Sequence, residues 1–162
     1  MRRNEAATLR WKDVDFRGKM FTVSVPTKNH EPHSLPLSNF LSEMLKRRYD
    51  DPDRGLFVFG RNGPLGNPNK QIAKVAAVSG VAFSPHTLRR TFATIAEQLD
   101  IPFVALQRLL NHKAQSVTAR HYVVINIERL RDPMQRICDF ILRAAGERQT
   151  AVVARIADRL GA

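Results

Sequence analysis

The sequence predicts an α+β domain that is mainly helical and carries one small antiparallel sheet. Two short segments rich in β-branched and aromatic residues, 21–25 and 33–37, are separated by the polar turn 27–31, which is the pattern of a hairpin. Beyond the second segment, apolar residues recur at three- and four-residue spacing, as in amphipathic helices. A length of 162 residues fits one domain, so we expect both patterns to share one core.

The predicted hairpin follows a short helical segment. Residues 2–9 have the composition of a helix end, and residues 11–15 lead out of it towards the first strand. The second strand contains Pro36, which has no N–H for a ladder hydrogen bond and therefore suits an edge strand. Lys28 is predicted to lie at the turn between the strands.

Three signals mark the helices that come next. Ser38 is a candidate N-cap, and Gly80 is placed to end a helix over 70–78. Ser84 followed by Pro85 is a strong start signal, because proline fits the first position of a helix.

The remaining segments are predicted in the same way. Residues 51–69 are rich in Gly, Pro and Asn and are expected to form a loop. Pro102 opens a helix, and residues 132–135 resemble a capping box that starts another helix ending by Gly146. The apolar face of the helix after Pro102 is predicted to contain Phe103, Leu106, Leu109 and Leu110.

The charge of the chain points to a polyanionic partner. Lys and Arg number 26 against 15 Asp and Glu, which gives a formal charge of +11. The basic residues are scattered, which indicates a folded basic surface rather than a disordered arm. Nucleic acid is favoured over a membrane surface, because membrane binding needs a helix with a wide apolar face and the predicted stripes are narrow.

The cysteine count favours a reducing compartment. Cys138 is the only cysteine, so neither an internal disulfide nor a cysteine-based zinc site is expected. The first residues have no apolar stretch behind them, so no secretory signal is predicted. The expected location is the cytoplasm.

A set of polar residues stands in short motifs along the chain. His86 and Arg89 are three apart at a predicted helix start, where backbone N–H groups attract phosphate. Taken alone, the pair fits an exposed basic helix end equally well, just as Arg2 and Glu5 fit an ordinary helical ion pair. The motifs read Arg2-x-x-Glu5, Thr27-Lys28 before Leu35-Pro36-Leu37, His86-x-x-Arg89, Leu110-Asn111-His112, and Val117-Thr118 before Tyr122.

In this order, the motifs resemble the catalytic domain of the tyrosine recombinases, the phage integrase family. The resemblance extends over about residues 1–140. Two departures are visible: Asn111 replaces the commoner glycine, and the interval from His112 to Tyr122 is one residue longer than the family's.

The resemblance implies site-specific DNA recombination through a 3′-phosphotyrosyl intermediate. Tyr122 would be the nucleophile, while Arg2 and Arg89 would bind the non-bridging phosphate oxygens. His112 would add a hydrogen bond to the phosphate, and His86 would assist proton movement. Lys28 would protonate the leaving 5′-oxygen. The catalytic set is thus Arg2, Lys28, His86, Arg89, His112 and Tyr122, with double-stranded DNA as partner and neither a metal nor a cofactor.

The sequence leaves the extent of the activity open. Residues 1–146 are expected to be an N-terminally truncated catalytic domain without the family's core-binding domain, and residues 147–162 a tail helix. The chain is therefore either an active recombinase or a non-catalytic DNA-binding remnant, and a topoisomerase-like relaxation cycle would use the same residues. We expect a monomer in free solution and an oligomer on DNA. The target sequence cannot be inferred, because phosphate contacts carry no sequence information.

Overall fold

A computed structural model of the chain describes residues 1–24, 32–112 and 126–147. The fold is α+β, with helices around a small antiparallel sheet, as predicted. The elements in chain order are α1 (Arg3–Ala7), a 3-10 turn (Trp11–Asp13), β1 (Val14–Asp15), β2 (Met20–Val23), β3 (His33–Pro36), α2 (Asn39–Tyr49), α3 (Asn69–Ser79), α4 (Pro85–Gln98), α5 (Phe103–Leu109) and α6 (Glu128–Ala144).

The sheet has the strand order β1-β2-β3 and is antiparallel throughout. Phe21 of β2 lies opposite Leu35 of β3, and Val23 lies opposite His33. The edge position predicted from Pro36 is confirmed, because β3 pairs on one side only. The two-residue strand β1 was not predicted; its Val14 lies opposite Phe21.

The predicted helix boundaries between residues 38 and 98 are confirmed by the capping contacts. The Ser38 hydroxyl accepts a hydrogen bond from the Leu41 N–H at 3.3 Å, which starts α2. The Ser84 hydroxyl accepts from the Thr87 N–H at 3.1 Å, with Pro85 as the first residue of α4. Gly80 ends α3 with φ at 71°, a conformation that glycine adopts without steric cost.

The long connection between α2 and α3 has neither a helix nor a strand, as predicted. It is nevertheless attached to the body of the protein, because the Val58 N–H donates to the Leu9 carbonyl at 2.9 Å. The Val58 side chain is completely buried, whereas its neighbour Leu56 is exposed.

The predicted start of the last described helix is wrong. A capping box at residues 132–135 would place the first helical residue at Pro133, but α6 begins at Glu128 and contains Pro133. Tertiary contacts hold the extra turn: Leu130 is buried, and the Arg131 guanidinium donates to the carbonyls of Gly18 at 2.9 Å and Lys19 at 3.1 Å. These contacts compensate for the amide hydrogen bond that proline cannot make.

The core lies where α6 packs against α4, α5 and β3. Ile137 of α6 is fully buried at its centre. The prediction that Phe103 belongs to the core is wrong, because its side chain is 70% exposed. The buried face of α5 is formed instead by Ala105 and Leu109, since a seven-residue helix has too few turns for its sequence pattern to define one face.

No helix in the described ranges is long and apolar enough to cross a membrane. The predicted tail helix lies in residues 148–162, outside the described residues.

Candidate active site

The first predicted site residue, Arg2, is held at the start of α1 by Glu5. The Arg2 backbone N–H donates to Glu5 Oε2 at 2.6 Å, and Arg2 Nη1 donates to Glu5 Oε1 at 3.0 Å. Glu5 is 5% exposed, so this is not an ordinary surface ion pair. Burial alone would raise the pKa of Glu5, but the hydrogen bonds from Arg2 outweigh it and hold that pKa below its usual value. Glu5 therefore stays ionised and orients Arg2.

Helix α4 supplies the predicted pair His86 and Arg89. The two residues lie one turn apart near the start of the helix. The side chain of His86 is exposed and that of Arg89 is partly buried. His86 thus lies on the solvent side of Arg89, on the same face of the helix.

The end of α5 forms a tight corner that leads to His112. The His112 N–H donates to the Gln107 carbonyl at 2.9 Å, and the Asn111 N–H donates to the Arg108 carbonyl at 3.0 Å. These two bonds define a Schellman motif, whose turning residue must adopt a positive φ. Asn111 has φ at 50°. This geometry explains why asparagine can replace glycine here, because it tolerates the left-handed region better than most residues.

Both arginines converge on this corner, although they are far apart in sequence. Arg2 Nη2 makes a long hydrogen bond of 3.5 Å to the Asn111 carbonyl. Arg89 Nη2 donates to the Leu110 carbonyl. The structure therefore brings together Arg2, Arg89 and the backbone that carries His112, as the motif order implied.

The electrostatics of the cluster favour an anionic ligand. Burial lowers the pKa of Arg89, and the charge of Arg2 lowers it further while Glu5 opposes the shift. Two guanidinium groups thus face one buried carboxylate. Arg89 Nη1 is buried and has no hydrogen-bond partner among the described residues. An unpaired donor on a buried cation is costly, and a phosphate oxygen is the type of acceptor that guanidinium groups bind best.

The other predicted residues are placed less fully. The His112 side chain is exposed beside the corner. Lys28 lies on the connection between β2 and β3, and Tyr122 lies between the corner and α6. Both fall outside the described residues.

Three features of the site were missed from the sequence. The burial of Glu5 was not predicted, and neither was the use of the Leu110 and Asn111 carbonyls as supports for the arginines. His33 was read only as a strand residue, yet its pKa is affected by Glu5 and by Arg108, so it lies beside the cluster. No local pattern signals these features, because each depends on contacts between distant segments.

Comparison with known proteins matches the geometry to a family. Residues 1–129 match the family described as the phage integrase family. The chain belongs to the phage integrase family. Among curated phage integrase relatives, it is 29% identical to the prophage integrase IntF of Escherichia coli over 153 residues, which cover 90% of this chain and 32% of IntF. It is also 27% identical over 144 residues to the tyrosine recombinase XerA of Thermococcus onnurineus, covering 84% of this chain and 50% of that protein.

A solved phage integrase structure has the same fold. The integrase from mycobacterium phage Brujita superposes with a TM-score of 0.66 at 21% identity, over 85% of this chain and 47% of that chain. The chain therefore spans about a third to a half of the length of these integrases and recombinases.

Proposed function

We propose that this chain carries the catalytic part of a site-specific tyrosine recombinase, which cleaves and rejoins DNA through a 3′-phosphotyrosyl intermediate. The observation that supports it most directly is the convergence of Arg2 and Arg89 on one corner, with Arg89 Nη1 unpaired among the described residues. This arrangement is suited to the non-bridging oxygens of a phosphodiester. In this proposal residues 1–146 form the catalytic domain and residues 147–162 a separate tail.

The chemistry assigns a role to each residue of the set. The Tyr122 oxygen attacks the phosphorus, and the bond from phosphorus to the 5′-oxygen breaks as the new bond forms. Lys28 gives a proton to the leaving 5′-oxygen, while His86 takes part in moving the tyrosine proton. Arg2, Arg89 and His112 stabilise the charge that develops on the phosphate oxygens, which is usually the largest contribution to such catalysis.

The second half of the cycle needs no external energy source. The phosphotyrosyl ester retains the energy of the broken phosphodiester, so a 5′-hydroxyl of another strand can attack it and release Tyr122. The cations of the site provide the charge stabilisation that metal ions provide in other phosphoryl-transfer enzymes. Double-stranded DNA is the proposed partner, and we expect oligomers on DNA but a monomer without it.

A covalent trapping assay tests the proposal. The full chain is incubated with a library of nicked duplexes of randomised sequence, because the target sequence is unknown. Adducts that resist denaturant are recovered, and the attached DNA is sequenced. The matched pair of variants is Tyr122→Phe and Tyr49→Phe, since the chain contains just two tyrosines and Tyr49 packs edge-on against Trp11 at 5.3 Å.

The outcomes separate the alternatives. An adduct that is lost in Tyr122→Phe and kept in Tyr49→Phe supports an active recombinase with Tyr122 as nucleophile. An adduct that survives in Tyr122→Phe refutes that assignment. Salt-sensitive DNA binding without any adduct would identify the chain as a non-catalytic DNA-binding remnant.

A further inference from the structure

His33 connects the sheet to the corner that supports the two arginines. It lies at the start of the edge strand β3, opposite Val23, and its side chain is partly buried. Its ring is hydrogen-bonded to the backbone of Arg108, and this bond acts to raise the pKa of His33. A bond with that effect has the ring N–H as donor and the Arg108 carbonyl as acceptor. Nε2 is buried without a partner among the described residues, so the donor is Nδ1.

The Arg108 carbonyl has a second role that makes this contact informative. It also accepts the Asn111 N–H at 3.0 Å, which is one of the two bonds that close the Schellman motif after α5. The corner formed by that motif presents the Leu110 and Asn111 carbonyls to Arg89 and Arg2. His33 is thus one contact away from the hydrogen bonds that orient both guanidinium groups.

We propose that His33 is a positioning residue of the active site: through its Nδ1–H bond to the Arg108 carbonyl it fixes the corner on which Arg2 and Arg89 rest. The inference rests on the function proposed above and deepens it. Because a guanidinium that is misplaced by about 1 Å loses much of its effect on the transition state, a looser corner slows strand cleavage without removing any group that touches DNA.

The electrostatic surroundings keep the imidazole neutral, as this role requires. Burial lowers the pKa of His33 to about 4, with the amino terminus and Arg108 contributing in the same direction and Glu5 opposing them. A neutral ring has one N–H and one lone pair, so donation from Nδ1 leaves Nε2 without a proton. His33 therefore adds no third positive charge beside the two arginines.

Three substitutions separate the hydrogen bond from the shape of the ring. His33→Asn places an amide N–H close to the position of Nδ1, whereas His33→Phe keeps a ring of similar size and has no donor. Ser34→Ala is the matched control, because it removes the 2.9 Å contact between Ser34 Oγ and Thr22 Oγ1 and so weakens the same strand pair away from the corner. We expect cleavage at saturating DNA to fall roughly tenfold in His33→Phe and to stay near wild type in His33→Asn and Ser34→Ala, with unchanged DNA affinity in all three.

Two spectroscopic measurements decide the proposal whether or not the chain cleaves DNA. In ¹⁵N NMR of the wild-type chain, His33 is expected as the Nδ1–H tautomer, and an Nε2–H tautomer would overturn the proposal. The Arg89 guanidinium N–H signals are expected to broaden or shift in His33→Phe and to be retained in His33→Asn. Unchanged Arg89 signals in a folded His33→Phe, or equal losses in the Phe and Asn variants, would likewise overturn it. Failure of the wild-type chain to form an adduct would instead refute the proposed recombinase activity.

Discussion

Arg2 and Arg89 donate hydrogen bonds to the carbonyls of two consecutive residues, Asn111 and Leu110. One arginine comes from the start of α1 and the other from the first turns of α4. Because a single backbone corner supports both guanidinium groups, their separation is set by the geometry of that corner. Any change that loosens the corner is expected to affect both arginines together.

Replacement of Arg89 by lysine tests the need for a forked donor. A lysine keeps the positive charge but cannot bind the Leu110 carbonyl and a phosphate oxygen in the planar geometry of guanidinium. We expect single-turnover cleavage by Arg89→Lys to fall by about 100-fold or more, as when one preorganised donor is lost, with DNA binding little changed. Arg90→Lys is the control, because Arg90 is the exposed neighbour on α4. Similar losses in both variants would indicate a general effect of arginine on DNA binding.

Replacement of Glu5 by glutamine tests the buried ion pair. The amide can still accept the Arg2 backbone N–H, but the charge that holds the guanidinium is lost. We expect a loss of about 1–2 kcal/mol in the free energy of unfolding and slower cleavage, measured by urea denaturation and adduct formation. Glu43→Gln, at an exposed position of α2, should change neither quantity.

The contribution of Glu5 has a defined pH dependence. Its pKa is lowered from 4.5 in the folded chain, so the folded state binds this proton more weakly than the unfolded state does. The stabilisation is therefore complete above pH 4.5 and is lost as the pH falls through the lower, folded-state value. The difference in unfolding free energy between wild type and Glu5→Gln should be constant from pH 5 to 7 and shrink below that range. A difference that grows in acid would contradict the assignment.

The sequence predicted the parts of this fold that local chemistry determines. Ser38, Gly80 and the Ser84-Pro85 pair mark helix ends through contacts within a few residues, so their positions could be inferred without knowing the fold. The start of α6 could not be, because Leu130 and Arg131 extend the helix through contacts with distant segments.

The site was predictable in its members but not in its supports. The order of the motifs identified Arg2, Arg89 and His112 as residues that should meet. The carbonyls that hold the arginines carry no sequence signal, since every residue has one. The same holds for the burial of Glu5, which depends on how α1 packs in the folded chain.

His33 is expected to make the folded chain less stable in mild acid. Its pKa is about 4 in the folded state against about 6.5 for an unperturbed histidine. Between these values the unfolded state binds the additional proton, so stability falls as the pH decreases from 6.5 and the effect levels off below 4. Urea denaturation of wild type and His33→Asn should show a difference of up to about one proton in the pH slope within this window. Equal slopes for the two proteins would contradict the folded-state value.

The last prediction concerns the positive φ of Asn111. Asn111→Gly keeps the left-handed corner, because glycine adopts it freely, whereas Asn111→Ala forces a Cβ into a conformation that costs about 1 kcal/mol or more. Asp100→Ala is the matched control, because Asp100 has a nearly identical φ of 52° but lies between α4 and α5, away from the arginines. We expect both alanine variants to lose similar stability in urea, but only Asn111→Ala to cleave DNA roughly tenfold more slowly. If Asp100→Ala slowed cleavage equally, the loss would follow from general stability, and the corner would have no particular role in positioning Arg2 and Arg89.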